Sequence, residues 1–180
     1  MRKVKMIAIL TLLFSIVGYA QTFTLTSTEV GGQATKKQVF TSCGGENISP
    51  ELKWTNVPEG TKSFAVTMYD KDAPTGSGWW HWLVFDIPAG VDGLKTNAGN
   101  ISSGLMPAKA IQSITDFGKY GYSGPCPPKG NGIHQYLITV YALNKETLGL
   151  DKDANPALVG FYLNFATIQK ASVVMYYETK

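Results

Sequence analysis

Three apolar–polar alternating runs constrain this chain more than any other feature. Residues 62–70 read "KSFAVTMYD", with Phe64, Val66 and Met68 on one face and Ala65, Thr67 and Tyr69 on the other. "WHWLVFDIP" (80–88) follows after a turn-rich "DKDAPTGSG" and is stopped by Pro88, and "HQYLITVYAL" (134–143) alternates again. Period-two runs rich in aromatic and β-branched residues predict strands. Weaker strand patterns lie at Phe23 to Thr28, Leu52 to Trp54 and "SVVMYYE" (172–178). Residues 154–171, "ANPALVGFYLNFATIQKA", read as a helix. Asn155 is a good N-cap and Pro156 suits the first turn. Leu158, Phe161, Tyr162 and Phe165 recur at helical spacing, which predicts a core face. Many strands and one late helix make the fold class mainly β: an antiparallel β-sandwich-like sheet with a late C-terminal helix.

The N-terminal twenty residues have a different purpose. Arg2, Lys3 and Lys5 precede an apolar run from Met6 to Val17, and Gly18-Tyr19-Ala20 offers small residues before Gln21. That pattern is a signal peptide over 1–20, too short in its apolar part for a membrane span of about 18 residues. It implies an exported protein, periplasmic or secreted, with one domain over 21–180. Setting its three cations aside leaves 13 basic against 13 acidic residues. A neutral chain has no general electrostatic attraction to nucleic acid or anionic membrane. In an exported chain, Cys43 and Cys126 read as a disulfide. Two free thiols are the alternative, and a metal site is weaker because no C-x-x-C pair is present.

From Ala89 to Gly132 the chain is mostly irregular and glycine-rich, with Pro-Cys-Pro-Pro at 125–128. So long an irregular stretch is usually functional or disordered. Phe117, Tyr120, Tyr122 and the cysteine argue for an ordered, functional loop.

Chemistry-bearing residues collect where strands meet loops: Asp70 with Asp72, His81, and His134 with Tyr136. Each has an ordinary structural reading as well. Aspartates before Ala-Pro can accept backbone N–H bonds in a turn, and a lone histidine can be satisfied by a core carbonyl. Nucleophile-elbow, zincin, P-loop and dinucleotide-binding motifs are absent from the sequence. Two histidines and an aspartate could bind zinc, but their spacing fits no standard zinc pattern.

Taken together, "YDKDAPTGSGWWHWLVFDIP", "DFGKYGYSGPCPPKGNGIHQYLITVYAL" and the upstream "CGGENISPELKW" resemble the phosphatidylethanolamine-binding protein family, in its bacterial Raf kinase inhibitor-like branch. Lys71 stands where that family usually has proline. The resemblance implies a large antiparallel sheet packed on a smaller one, with an anion-accepting pocket at one end. It assigns Asp70, His81, Gly124, His134 and Tyr136 to ligand binding, Trp79 and Trp80 to the mouth, and Pro125, Pro127 and Pro128 to a wall pinned by Cys126. Phosphate head groups or small anions would be the ligands, with no cofactor and no metal. A non-enzymatic binding protein is therefore the leading expectation. A protein–protein regulator and a histidine-based hydrolase are the alternatives, and a protein partner or homodimer stays open.

Overall fold

The computed structural model describes residues 21–180; the signal-peptide reading of 1–20 lies outside the described residues. The chain forms β1 (Thr24–Thr26), β2 (Leu52–Thr55), β3 (Ser63–Asp70), β4 (Trp79–Pro88), β5 (Gly93–Leu94), β6 (Ile111–Gln112), β7 (His134–Leu143), α1 (Pro156–Ala166) and β8 (Thr167–Tyr177). The class is mainly β with one late helix, in agreement with the sequence. A three-stranded sheet runs β1-β2-β5 and a five-stranded sheet runs β6-β4-β3-β7-β8; every named pair is antiparallel.

The alternation read from β3 decides the layers. Phe64, Val66 and Met68 face the smaller sheet, where they meet Trp54 and Leu52 of β2. Ala65 points the other way, into a second cluster with Leu83, Phe85 and the helix. Burying side chains of this size stabilises the fold by about 1.5–3 kcal/mol each.

Two expectations about the C-terminal region are corrected. The helix ends at Ala166 and β8 begins at once, at Thr167 rather than Ser172. Thr167 is already extended and its hydroxyl donates to the Leu163 carbonyl, while Leu143 pairs with Thr167 to open the β7–β8 ladder. The helix also presents its other side to the core. Pro156, Val159, Leu163 and Ala166 are buried, whereas Leu158, Phe161, Tyr162 and Phe165 are exposed. α1 is apolar nearly all round, so two stripes carry helical periodicity. The smaller residues win the inner face because they let the helix approach Leu83 and Phe85 closely.

Candidate functional site

Three neighbouring strands converge at one end of the five-stranded sheet. Asp70, the last residue of β3, lies opposite Trp79 of β4 on one side and Tyr136 of β7 on the other. Directly opposed residues share a face, so Trp79, Asp70 and Tyr136 form a row across three strands. His134, two residues before Tyr136, shares that face by period two. His81 arrives by another route. The β3–β4 register passes from Met68↔Trp82 to Tyr69↔Trp80, leaving His81 as the extra residue of a bulge. The bulge lets neighbouring residues serve one side: Trp82 packs in the core, while His81 lines the cavity.

That cavity has a volume of about 230 Å3 and is lined by Asp70, His81, His134 and Tyr136, with Trp79, Phe117, Cys126, Pro127 and Pro128 among its walls. Asp70 is buried and both its oxygens are engaged. Oδ1 accepts from the Asp72 N–H (2.9 Å) and Oδ2 from His134 Nδ1 (2.7 Å). The aspartate thus orients the imidazole and fixes which nitrogen faces it. His134 Nε2 meets the Asn131 side chain at 2.8 Å. Asp72 stays outside the cavity and accepts from the Gln135 N–H, steadying the start of β7. Its carboxyl is held below the usual range, first by the Lys71 ammonium at 2.6 Å.

The other two polar groups are different. His81 Nδ1 donates to the Ser123 carbonyl at 2.7 Å. Burial pushes its pKa down to about 4, against the opposing pull of that hydrogen bond and the Asp70 charge. At neutral pH His81 is therefore uncharged, and its Nε2 carries a lone pair. The Tyr136 hydroxyl is buried and has no hydrogen-bond partner among the described residues. Burial, and then the neighbouring Asp70 charge, raise its pKa, so it stays a donor. Beside the Asp–His pair, under an aromatic mouth, the cavity is thus lined by a hydroxyl that can donate and an uncharged imidazole that can accept.

The phosphatidylethanolamine-binding protein family model matches residues 26–178. The chain belongs to the phosphatidylethanolamine-binding protein family. It is 48% identical to YbcL of Escherichia coli over 165 residues, covering 89% of this chain and 90% of that protein. Identity to YbhB of Escherichia coli is 49% over 147 residues, 79% and 90% of the two chains. The crystal structure of Escherichia coli YbcL superposes with a TM-score of 0.85 over 88% of this chain and 99% of that one, at 49% identity. A Plasmodium vivax phosphatidylethanolamine-binding protein shares the fold at 15% identity and a TM-score of 0.53, over 88% and 86% of the two chains.

Not every residue expected at the pocket of this family member is there. Trp80, opposite Tyr69, packs on the helix side of the sheet, its ring tilted against Tyr69 at 4.6 Å and lying beside the α1 cluster. Gly124 and Pro125 are not among the residues that line the cavity. The Gly124 N–H is spent on Asn47 Oδ1 at 2.7 Å and is not free for a ligand. A Cβ at Gly124 would sit 1.9 Å from the Gln38 carbonyl oxygen, so glycine is required for close approach. The Pro125 carbonyl accepts from Phe40 N–H, and the Cys43–Cys126 disulfide closes the same contact. Residues the sequence did not single out for the site are Phe117, Asn131 and Ser123. Phe117 meets Trp79 and His81 edge-on at 5.5 and 5.1 Å. Ser123 and Asn131 act by contacts across turns that no spacing rule reveals.

Proposed function

We propose that this protein is an exported, non-enzymatic binding protein whose cavity holds a small anion or a phosphate-bearing head group. The observation that carries the reading is the Tyr136 hydroxyl, a buried donor with no partner among the described residues. An unsatisfied buried hydroxyl costs about 1–3 kcal/mol, and a phosphate or carboxylate oxygen would satisfy it. His81 lines the same cavity, and with Nδ1 spent on Ser123 its Nε2 is the nitrogen left to accept from a protonated ligand oxygen, or to take a proton and become a second donor. The volume suits a head group rather than an acyl chain. Catalysis is less well supported. Thr75, an aliphatic hydroxyl on the cavity, donates to the Gly78 carbonyl, and His134 Nε2 faces Asn131 rather than a nucleophile. Export rests on the leader pattern and on a disulfide of the kind that persists in oxidising compartments. N-terminal sequencing of the protein purified from its native host is expected to begin at Gln21.

Thermal-shift titrations with inorganic phosphate, phosphoethanolamine and acetate test the pocket. Wild type is expected to show a saturable rise. Tyr136→Phe should weaken binding about tenfold, the worth of one hydrogen bond to a charged group. Because that hydroxyl has no partner among the described residues, the same variant should melt no lower than wild type without ligand. His134→Ala should abolish the shift. Equal shifts in wild type and both variants, or none with any ligand, would remove the basis of this reading.

A further inference from the structure

Ser123, whose carbonyl holds the His81 ring, is gripped from two sides. On one side its N–H donates to the His81 carbonyl at 3.0 Å, and its carbonyl accepts from His81 Nδ1 at 2.7 Å. On the other side the side-chain amide of Asn47 takes the flanking backbone groups. Its Nδ2 donates to the Tyr122 carbonyl at 3.3 Å, and its Oδ1 accepts from the Gly124 N–H at 2.7 Å. A neighbouring strand would take up the groups on either side of Ser123 in this way, and here one side-chain amide does so instead. We propose that Asn47 is a positioning residue for the cavity: it clamps the 122–124 segment and, through the Ser123 carbonyl, fixes the His81 ring. What that orientation serves rests on the binding function proposed above; the clamp itself does not.

Asn47 is anchored well enough to act as a clamp. Its own N–H donates to the Val39 carbonyl at 2.9 Å. On either side of that contact, the Gln38 carbonyl accepts from the Tyr122 hydroxyl and the Phe40 N–H donates to the Pro125 carbonyl. The loop that carries Asn47 is thus tied to the segment it holds at both ends. Asn47 has φ 56°, in the left-handed region where asparagine is several-fold enriched. That backbone would suit glycine equally well, but only a side-chain amide supplies the two bonds to residues 122 and 124. His81 needs the help. Phe117 and Tyr136 meet its ring edge-on, each at 5.1 Å, and such contacts do not choose between the two ring nitrogens. The bond from Nδ1 to Ser123 makes that choice and leaves Nε2 for the cavity that His81 lines. If the Ser123 carbonyl swings away, Nδ1 loses its acceptor and the ring loses its fixed tautomer.

Proton NMR of the oxidised, ligand-free protein is the test. The chain has two histidines, and each ring has a bonded Nδ1–H: His81 on Ser123 and His134 on Asp70. His81→Gln assigns the two signals. Asn47→Gly deletes the amide while leaving the left-handed turn unstrained. It is expected to speed solvent exchange of the His81 ring proton about tenfold, as local opening becomes easier, and to leave the His134 proton unchanged. Phosphate should bind that variant about tenfold more weakly. Asn47→Asp keeps an acceptor for the Gly124 N–H but not the donor to the Tyr122 carbonyl, and its exchange should fall between wild type and Asn47→Gly. Asn97→Gly makes the same change at another left-handed asparagine (φ 68°) and should leave both ring protons as in wild type. Unchanged His81 exchange in Asn47→Gly overturns the proposal. Equal acceleration at both histidines overturns it too, because that is a general loosening of the fold. A wild type that binds no phosphate removes the binding function, while the ring protons still decide the role of Asn47.

Discussion

Removing the Cys43–Cys126 disulfide, by reduction or by Cys43→Ala/Cys126→Ala, is expected to lower the unfolding free energy by about 4 kcal/mol. The two cysteines are 83 residues apart and joined with Cα atoms 5.7 Å from each other. Closing a loop of that length restricts the unfolded chain by about 4.5 kcal/mol in the chain-entropy model. For a domain of this size the melting temperature should fall by roughly 10–15 °C. Function should suffer by a separate route. Cys126 is a wall of the cavity, and its partner belongs to the short turn Thr41–Cys43, whose preceding residue Phe40 donates its N–H to the Pro125 carbonyl. Without the bond that wall loses its covalent tie and keeps the Phe40–Pro125 hydrogen bond and the Phe40–Phe117 packing, so ligand affinity should fall in the alanine pair even where the protein remains folded. Urea unfolding of wild type with and without reductant, beside the alanine pair, measures the first effect. A loss under about 1 kcal/mol would mean that the denatured chain is already constrained here.

The strands that build the site were legible because period two and cross-strand row agree. Val66, Met68, Asp70, Tyr136 and His134 all fall on the faces the alternation assigns. Trp80 escaped the same logic. A bulge at His81 breaks the alternation of β4, so three consecutive residues, Trp80, His81 and Trp82, do not follow one rule. Nothing in "GWWHWLVFDIP" reveals a bulge, because it depends on the register of the partner strand. The helix failed for another reason. Its period was correct, but two stripes shared it, and the choice was made by how closely Val159, Leu163 and Ala166 fit the sheet. Ser123 and Asn131 were invisible because a carbonyl and a turn amide carry no pattern; both are found only once the loops are closed.

Acid should destabilise this protein through His81, by about 3 kcal/mol between pH 6.5 and 4. The ring is buried, and its pKa falls from about 6.5 in the unfolded chain to about 4 in the folded one. As pH drops below 6.5 the unfolded histidine takes a proton that the folded one refuses. Stability therefore falls with pH through that window, by about 1.4 kcal/mol for each pH unit crossed, and levels off below pH 4. The groups facing the ring set the size of this effect: burial opposes the charge, the Ser123 carbonyl and Asp70 favour it, and His134 opposes it. A His81→Gln variant lacks the titration, so the difference between wild type and variant isolates it from the other acid-sensitive groups. Urea unfolding at intervals from pH 7.5 to 4.5 should show wild type losing its advantage over the variant. Parallel profiles would mean that water or a local opening solvates the ring. Saturating phosphate adds a second expectation, since an anion beside Nε2 favours the charged ring and should flatten the acid loss. In that case binding takes up a proton, and calorimetric titration in two buffers of different ionisation enthalpy would register it. The same proton that unfolds the empty pocket would then tighten the filled one, making affinity rise as pH falls from 7 toward 5.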